Sequence, residues 1–283
     1  MMRSGYKLAI AAAMVSCLVT TGTGTGLAAT KANPKKGVSA WVFNGVDRAL
    51  KKSGATWYYT WAPDHQGITS PHGVGFVPMI WGTGSVTTAN LQLVKRDPSR
   101  YLLGFNEPDN SGQSNMTPAQ ALALWPKLMA TKKILGSPAV ATNAATQGAW
   151  LDKFMRGARA RHLRVNFIAV HWYGGDFVTS QAVQQLKSYL VAIHARYRRP
   201  IWLTEFALIN FANGVSFPTP SQQAAFVTAA AKMLQGLSYV QRYAWFALPA
   251  TSGPNGDGSA GLFRPGAIAT AAGRAFEKIG PRG

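Results

Sequence analysis

Residues 101–109 read Tyr-Leu-Leu-Gly-Phe-Asn-Glu-Pro-Asp. A mostly apolar stretch that ends on a carboxylate and then a proline describes a strand buried along its length and stopped at a polar rim. Far downstream, Ile201-Trp202-Leu203-Thr204-Glu205-Phe206 repeats the scheme. Working outward from these two, further short apolar or β-branched runs fall at 37–40, 55–61, 75–81, 134–140, 166–173 and 242–249. Helical periodicity is clearest between several of them, over 118–131, 149–161, 180–197 and 220–237. Thr117-Pro118 and Thr219-Pro220 each set a cap residue before a proline suited to the first helical position. Strands alternating with helices imply parallel pairing through right-handed crossovers. Eight strand runs in about 250 residues predict an α/β fold, a single (β/α)8 TIM barrel, with an open doubly wound sheet as the alternative that periodicity leaves.

In a parallel barrel every strand ends on the same face, so unusual residues at strand ends become neighbours despite their sequence separation. Here those ends carry Trp61, Trp81, Asn106-Glu107, His171-Trp172-Tyr173, Glu205 and Trp245. The chain has only three glutamates. Glu277 lies in an Ala/Arg/Lys-rich terminal segment and reads as a solvated charge. Glu107 and Glu205 close the fourth and seventh runs, where a carboxylate is costly unless it is paired or used. Hydrolysis of a glycosidic bond needs two such groups flanking the bond, held at different pKa values. The fourth and seventh strands of a closed barrel face each other across its mouth.

The stretch Gly104-Phe105-Asn106-Glu107-Pro108 resembles the strand-four signature of clan A glycoside hydrolases. With Trp57 to Trp61, Phe76 to Trp81, His171-Trp172-Tyr173-Gly174 and Trp202-Leu203-Thr204-Glu205-Phe206, the chain resembles glycoside hydrolase family 128, the glycosyl hydrolase catalytic core group. The resemblance runs over roughly residues 37 to 250. It implies a single-domain barrel acting on β-1,3-glucan, with Glu107 as general acid/base and Glu205 as nucleophile of a retaining double displacement. It also implies that Asn106 binds the sugar 2-hydroxyl. His171 and Tyr173 share one strand face and are expected to point into the cleft as substrate-binding residues, orienting Glu205 or substrate, with Trp172 turned into the helix layer. Trp61, Trp81 and Trp245 are expected as platforms for pyranose faces, whereas Trp41, Trp57, Trp125, Trp150 and Trp202 read as packing residues. Other clan A families share the two glutamates, so linkage and endo or exo action stay open at this level, as does a wall-associated protein that binds glucan without turnover.

Other chemistries find no support. The five histidines show no metal-ligand spacing, and no phosphate-binding or dinucleotide fingerprint occurs in a strand–helix context, so no metal and no cofactor are expected. His65 and His72 fall in the loop after the second run and are candidates for lining a subsite. The 29 Lys and Arg against 10 Asp and Glu give a formal charge of +19. Such a surface adheres to anionic polymers, and an anionic cell wall is a better candidate than nucleic acid, because the basic clusters hold few aromatics. A β-glucan polysaccharide is the expected partner of a monomeric enzyme.

Residues 1–29 have a basic start, a short apolar run and small residues at the end, the layout of a secretory signal peptide and too short for a transmembrane span. A secreted or cell-envelope protein is expected, with a lipoprotein anchored through Cys17 as the alternative. Residues 30–36 read as a basic linker, 37–283 as the catalytic barrel, and 251–261 as a Gly- and Ser-rich loop.

Overall fold

The computed structural model describes residues 33–250 and 260–280. β1 (Lys36–Ser39), β2 (Trp57–Tyr59) and β3 (Gly75–Phe76) lie side by side, and β8 (Val240–Trp245) flanks β1 on its other edge. β7 (Ile201–Leu208) and β6 (Ile168–Gly174) continue that sheet, while β4 (Tyr101–Leu102) and β5 (Ile134–Leu135) form a parallel pair of their own. Single parallel bridges tie this pair in on both sides, Met79 to Leu103 towards β3, and Gly136 to Phe167 and Val140 to Val170 towards β6. The eight runs thus close into a (β/α)8 barrel.

The outer ring holds α1 (Val46–Ser53), α2 (Thr88–Arg96), α3 (Pro118–Met129), α4 (Trp150–Ala160), α5 (Thr179–Tyr197), α6 (Pro220–Gly236) and α7 (Ala271–Glu277). α3 and α6 begin with full capping boxes, in which Thr117 and Thr219 exchange hydrogen bonds with Gln120 and Gln222 ahead of a proline. Among the described residues no helix joins β2 to β3. The loop there is pinned to α1 instead, where Asp47 accepts from the Thr69 amide and Ile68 is buried. An antiparallel pair, β9 (Phe263–Arg264) with β10 (Ile268–Ala269), leads into α7.

Strand alternation sorts the apolar residues into two cores. Trp57, Tyr59, Met79, Phe167 and Trp202 fill the barrel, and Tyr58, Val170, Leu203, Phe206 and Trp245 pack under the helices. The large rings inside are accommodated by glycines: a Cβ on Gly37 would lie 2.2 Å from the Trp57 ring, and one on Gly136 2.5 Å from Phe167. Arg242 closes the lower end, its guanidinium 4.4 Å from the Trp202 ring centre and 4.7 Å from that of Tyr101.

The barrel starts earlier than the expected boundary at residue 37. Asn33 donates to the Tyr243 hydroxyl at 3.2 Å, and Lys36 Nζ donates to the Phe276 and Ile279 carbonyls at 2.6 and 3.1 Å, so the end of the presumed linker is buried structure. Glu277 is not simply solvated either. Its Oε1 is buried without a hydrogen-bond partner, and its charge acts on Lys36. The expected signal segment with Cys17, and residues 251–259 of the Gly/Ser loop, lie outside the described residues. No helix among the described residues is long and apolar enough to cross a membrane.

Candidate active site

β7 carries Glu205 to the mouth through an irregularity. Trp202 belongs to the interior core and Leu203 to the outer one, so even alternation would turn Glu205 outward. The ladder to β6 slips at this point: Val170 pairs with Leu203, but His171 pairs with Glu205 and Tyr173 with Ala207. Thr204 is the extra residue of a β-bulge, and the phase change aims Glu205 inward and returns Phe206 to the outer core.

Glu107 is placed by the turn that ends the β4 run. Its amide donates to the Ala139 carbonyl at 2.7 Å, and its backbone adopts a left-handed φ of 39°. Trp61, at the end of the β2 run, has a φ of 57°. Each such non-glycine conformation costs on the order of 1 kcal/mol or more and persists where the surroundings enforce it. Asp109 supplies part of that enforcement, since its carboxylate accepts from the Ala141 and Thr142 amides at 2.8 and 3.0 Å and ties the β4 loop to the β5 loop.

The two glutamates meet around His171. Its Nδ1 lies 2.9 Å from Glu107 Oε1 and 3.5 Å from Glu205 Oε2, and because both partners are carboxylates this nitrogen carries a proton. One oxygen of each glutamate and one His171 nitrogen all lie within 4.8 Å of one another. This is also the one trio of potential metal ligands among the described residues; its carboxylate oxygens and His171 Nδ1 are engaged in hydrogen bonds within the protein, while His171 Nε2 is buried without a partner. Glu205 Oε1 accepts from the Tyr59 hydroxyl at 3.0 Å and from Trp61 Nε1 at 2.8 Å, and Oε2 accepts from the Tyr173 hydroxyl. Glu107 Oε2 accepts from Asn110 Nδ2 at 3.2 Å.

The electrostatics follow from burial and charge. Burial and the Glu205 charge push the hydroxyls of Tyr59 and Tyr173 well above the usual tyrosine range, so both stay neutral donors. Burial pulls the His171 pKa down, but the neighbouring Glu205 and the hydrogen-bonded Glu107 more than reverse this and set it above the ordinary histidine value. Burial likewise pushes Glu107 up, and its bond to His171, the charge there and the Asn110 contact outweigh that and hold it below the ordinary value.

Above the trio opens a cleft of about 890 Å³. Asn106, Glu107, Glu205, Trp61, Trp81 and Tyr173 line it, as the strand-end reading expects. Asn106 donates to Gln113 Oε1 at 3.2 Å and keeps a buried Oδ1 without a protein partner. Trp172 stacks on Phe226 in the helix layer. Two expectations fail. Trp245 is fully buried, donates to the Ala260 carbonyl at 2.7 Å and packs edge-on against Phe206, so it is no platform; Ala244 faces the interior, and alternation turns Trp245 to the helices. His171 is only 1% exposed and lies beneath the carboxylates, so it positions them and does not line the cleft.

His65 and His72 do not reach the cleft. His65 stacks on Phe76 outside the barrel and bonds to the Tyr58 hydroxyl at 2.8 Å. Trp41, read as packing, does line the cleft, 6.0 Å from Trp61 between ring centres, and Phe246 joins them. After β7, Asn210 pairs back with Ser216, and Phe211, Val215 and Phe217 complete the wall. Trp41 follows the β1 run as Trp61 and Trp81 end theirs, and Tyr59 shares a strand face with Trp57 and Trp61; both signals were present in the sequence. Asn110 and Gln113 carry no such signal, because loop geometry alone brings them in.

The profile of the family described as "Glycosyl hydrolase catalytic core" matches residues 37–276. Alkali-sensitive linkage protein 1 of Schizosaccharomyces pombe is 32% identical over 214 residues, covering 73% of this chain and 37% of that protein, so the chain spans little more than a third of that relative. Among solved structures, a subgroup I family 128 endo-β-1,3-glucanase variant from Amycolatopsis mediterranei, in complex with laminaripentaose, is 51% identical. The likeness covers 88% of this chain and all of that one, with a TM-score of 0.83. A subgroup II endo-β-1,3-glucanase from Sorangium cellulosum is 26% identical over the same 88% of this chain and all of its own, with a TM-score of 0.72. With two strand-end glutamates converging in a barrel mouth and a family profile that runs from β1 through most of α7, the chain belongs to the glycosyl hydrolase catalytic core family and is a glycoside hydrolase of the family 128 kind.

Proposed function

We propose that this protein is a retaining endo-β-1,3-glucanase. The observation that carries the reading is the approach of Glu107 and Glu205, to within 4.8 Å between oxygens, at the floor of a cleft large enough for several sugars. Retaining enzymes hold their carboxyl groups about 5–5.5 Å apart, whereas inverting ones leave about 6.5–9.5 Å for a water. The β-1,3 linkage is supported by the 51% identical neighbour with laminaripentaose, and endo action by the same neighbour. The exo-acting relative from Blastomyces gilchristii stands further off at 28% identity.

Glu205 is the nucleophile in this reading. Three donors, Tyr59, Trp61 and Tyr173, fix its oxygens for attack on the anomeric carbon. Glu107 protonates the leaving oxygen. The proton it gives is stored at rest on His171, because the imidazolium between two carboxylates is favoured over a protonated Glu107. Transfer along the 2.9 Å hydrogen bond yields a neutral His171 and an acidic Glu107. Once Glu205 is esterified by the sugar, Glu107 takes a proton from water as that water attacks, and the Glu205 carboxylate is restored. Asn106 Oδ1, buried and unpartnered, is available to accept from the sugar 2-hydroxyl.

Incubation with linear β-1,3-glucan, β-1,4-glucan and mannan tests the specificity. The reading expects a ladder of oligosaccharides from the first alone; monosaccharide as the sole early product, or equal cleavage of the others, would refute it.

A further inference from the structure

Along the groove between α4 and α5, from the first turn of α4 to the loops that follow both helices, lies a second cavity of about 550 Å³. Arg156, Arg159, Arg196 and Arg199 line it, against one carboxylate, Asp152. Asp152 is committed: Oδ1 accepts from Arg196 Nη2 at 2.6 Å, and Oδ2 pairs with Arg156 Nε at 3.2 Å while accepting from the Gly148 amide at 2.8 Å. Arg159 and Arg199 have no carboxylate within ion-pair distance among the described residues.

Complementing the negative C-terminal ends of helices accounts for Arg159 and Arg196, which sit in last turns. The same role extends to Arg198, which donates to the Ala195 carbonyl at 3.1 Å, to Arg164, which donates to the Met129 carbonyl at the end of α3, and to Arg161 at the α4 C-cap, but it does not account for Arg199, which lies beyond α5. The floor is formed by aliphatic groups of Met155, Leu163 and Val165. None of the large exposed apolar side chains among the described residues lines this cavity, so it offers nothing to insert into a bilayer. Its one aromatic ring, Tyr197, is tied by its hydroxyl to the Ala144 carbonyl at 2.7 Å, so it presents no series of rings for stacking bases.

We propose that this arginine cleft binds a thin, linear phosphodiester polyanion, its free guanidinium forks gripping phosphate oxygens in pairs. The cleft lies on the α4–α5 flank and shares no lining residue with the cleft of Glu107 and Glu205, so the polyanion tethers the protein without blocking the mouth. Binding itself does not depend on the glucanase reading; only the description as a tether does.

An end-labelled linear glycerol-phosphate oligomer is the probe, with affinity read by fluorescence anisotropy over a salt series on the full chain. The double variant Arg159→Ala/Arg199→Ala is compared with Arg48→Ala/Lys51→Ala, an equal charge loss on exposed positions of α1. The cleft variant is expected to lose at least tenfold in affinity, and its slope of log K against log salt to become shallower by about 1.4 for two lost phosphate contacts. The α1 variant should change less than threefold, and both should cleave glucan as the parent does, which also reports that they are folded. Equal weakening by the two variants would assign binding to diffuse charge and overturn the site, as would no weakening at all. Tighter binding of duplex DNA or of anionic phosphatidylglycerol vesicles than of the oligomer, lost in the cleft variant, would overturn the ligand class.

Discussion

His171 faces Glu205 across the β6–β7 ladder, where an even register would have paired it with Thr204. Three properties of the site follow from that one-residue slip. Glu205 turns to the mouth, His171 comes within reach of both carboxylates, and the Tyr173 hydroxyl is delivered to Glu205 from the same strand. A bulge beside the reacting groups re-aims a side chain that regular pairing would have hidden.

The division of labour between the glutamates is separable by rescue with azide. Glu205→Ala should lose about three or more orders of magnitude in rate, and added azide should restore turnover by attacking from the vacated side, giving an α-glycosyl azide. Glu107→Ala, assayed on an aryl glycoside that needs no acid help, should give the β-azide. Interchanged products would swap the two roles.

The His171 proton store predicts a specific change in the pH profile. Activity needs one proton shared by His171 and Glu107, and that proton is lost as pH rises through the raised histidine value. In His171→Gln the proton can sit only on a carboxyl group, so the alkaline limb of kcat/KM should move to lower pH. A purely structural role would lower the plateau and leave that limb where it was.

Two tryptophans of similar appearance in the sequence should behave oppositely. Trp245→Ala removes a fully buried ring and should cost about 3–5 kcal/mol of stability in denaturant unfolding, with KM for glucan unchanged in the folded protein. Trp41→Ala should leave stability nearly intact and raise KM roughly tenfold, the worth of one stacking face.

That contrast marks where sequence reading reaches and where it stops. Eight parallel strands, the helices α3 to α6 and both glutamates are legible, because apolar runs, capping pairs and carboxylates at strand ends each have a direct physical cause. The facing of a side chain near a strand end is less so. Counting from Leu203 puts Glu205 on the wrong side, because a bulge leaves no compositional trace. Taking the tryptophan of the eighth run selects Trp245, one residue short of Phe246, which lines the cleft. The buried start of the barrel at Asn33 and Lys36 is hidden for another reason: a polar, basic stretch reads as linker unless its partners from β8 and α7 are known.

Lys36 gives the fold a pH signature. Burial brings its pKa from 10.5 to about 7, with Glu277 opposing the shift. Between those values the unfolded chain holds a proton that the folded one lacks, so stability should rise with pH across that window, by at most about 1.4 kcal/mol per unit. Lys36→Met should remove this rise in denaturant titrations at several pH values. A slope common to both proteins would mean the lysine stays charged in the fold.

The configuration of the first product formed from linear β-1,3-glucan bears most directly on the pairing of Glu107 with Glu205. Proton NMR of the reaction as it starts should show the β-anomer of the new reducing end, followed by slow mutarotation to the equilibrium mixture. The α-anomer appearing first would mean direct attack by water, and would contradict a covalent intermediate on Glu205.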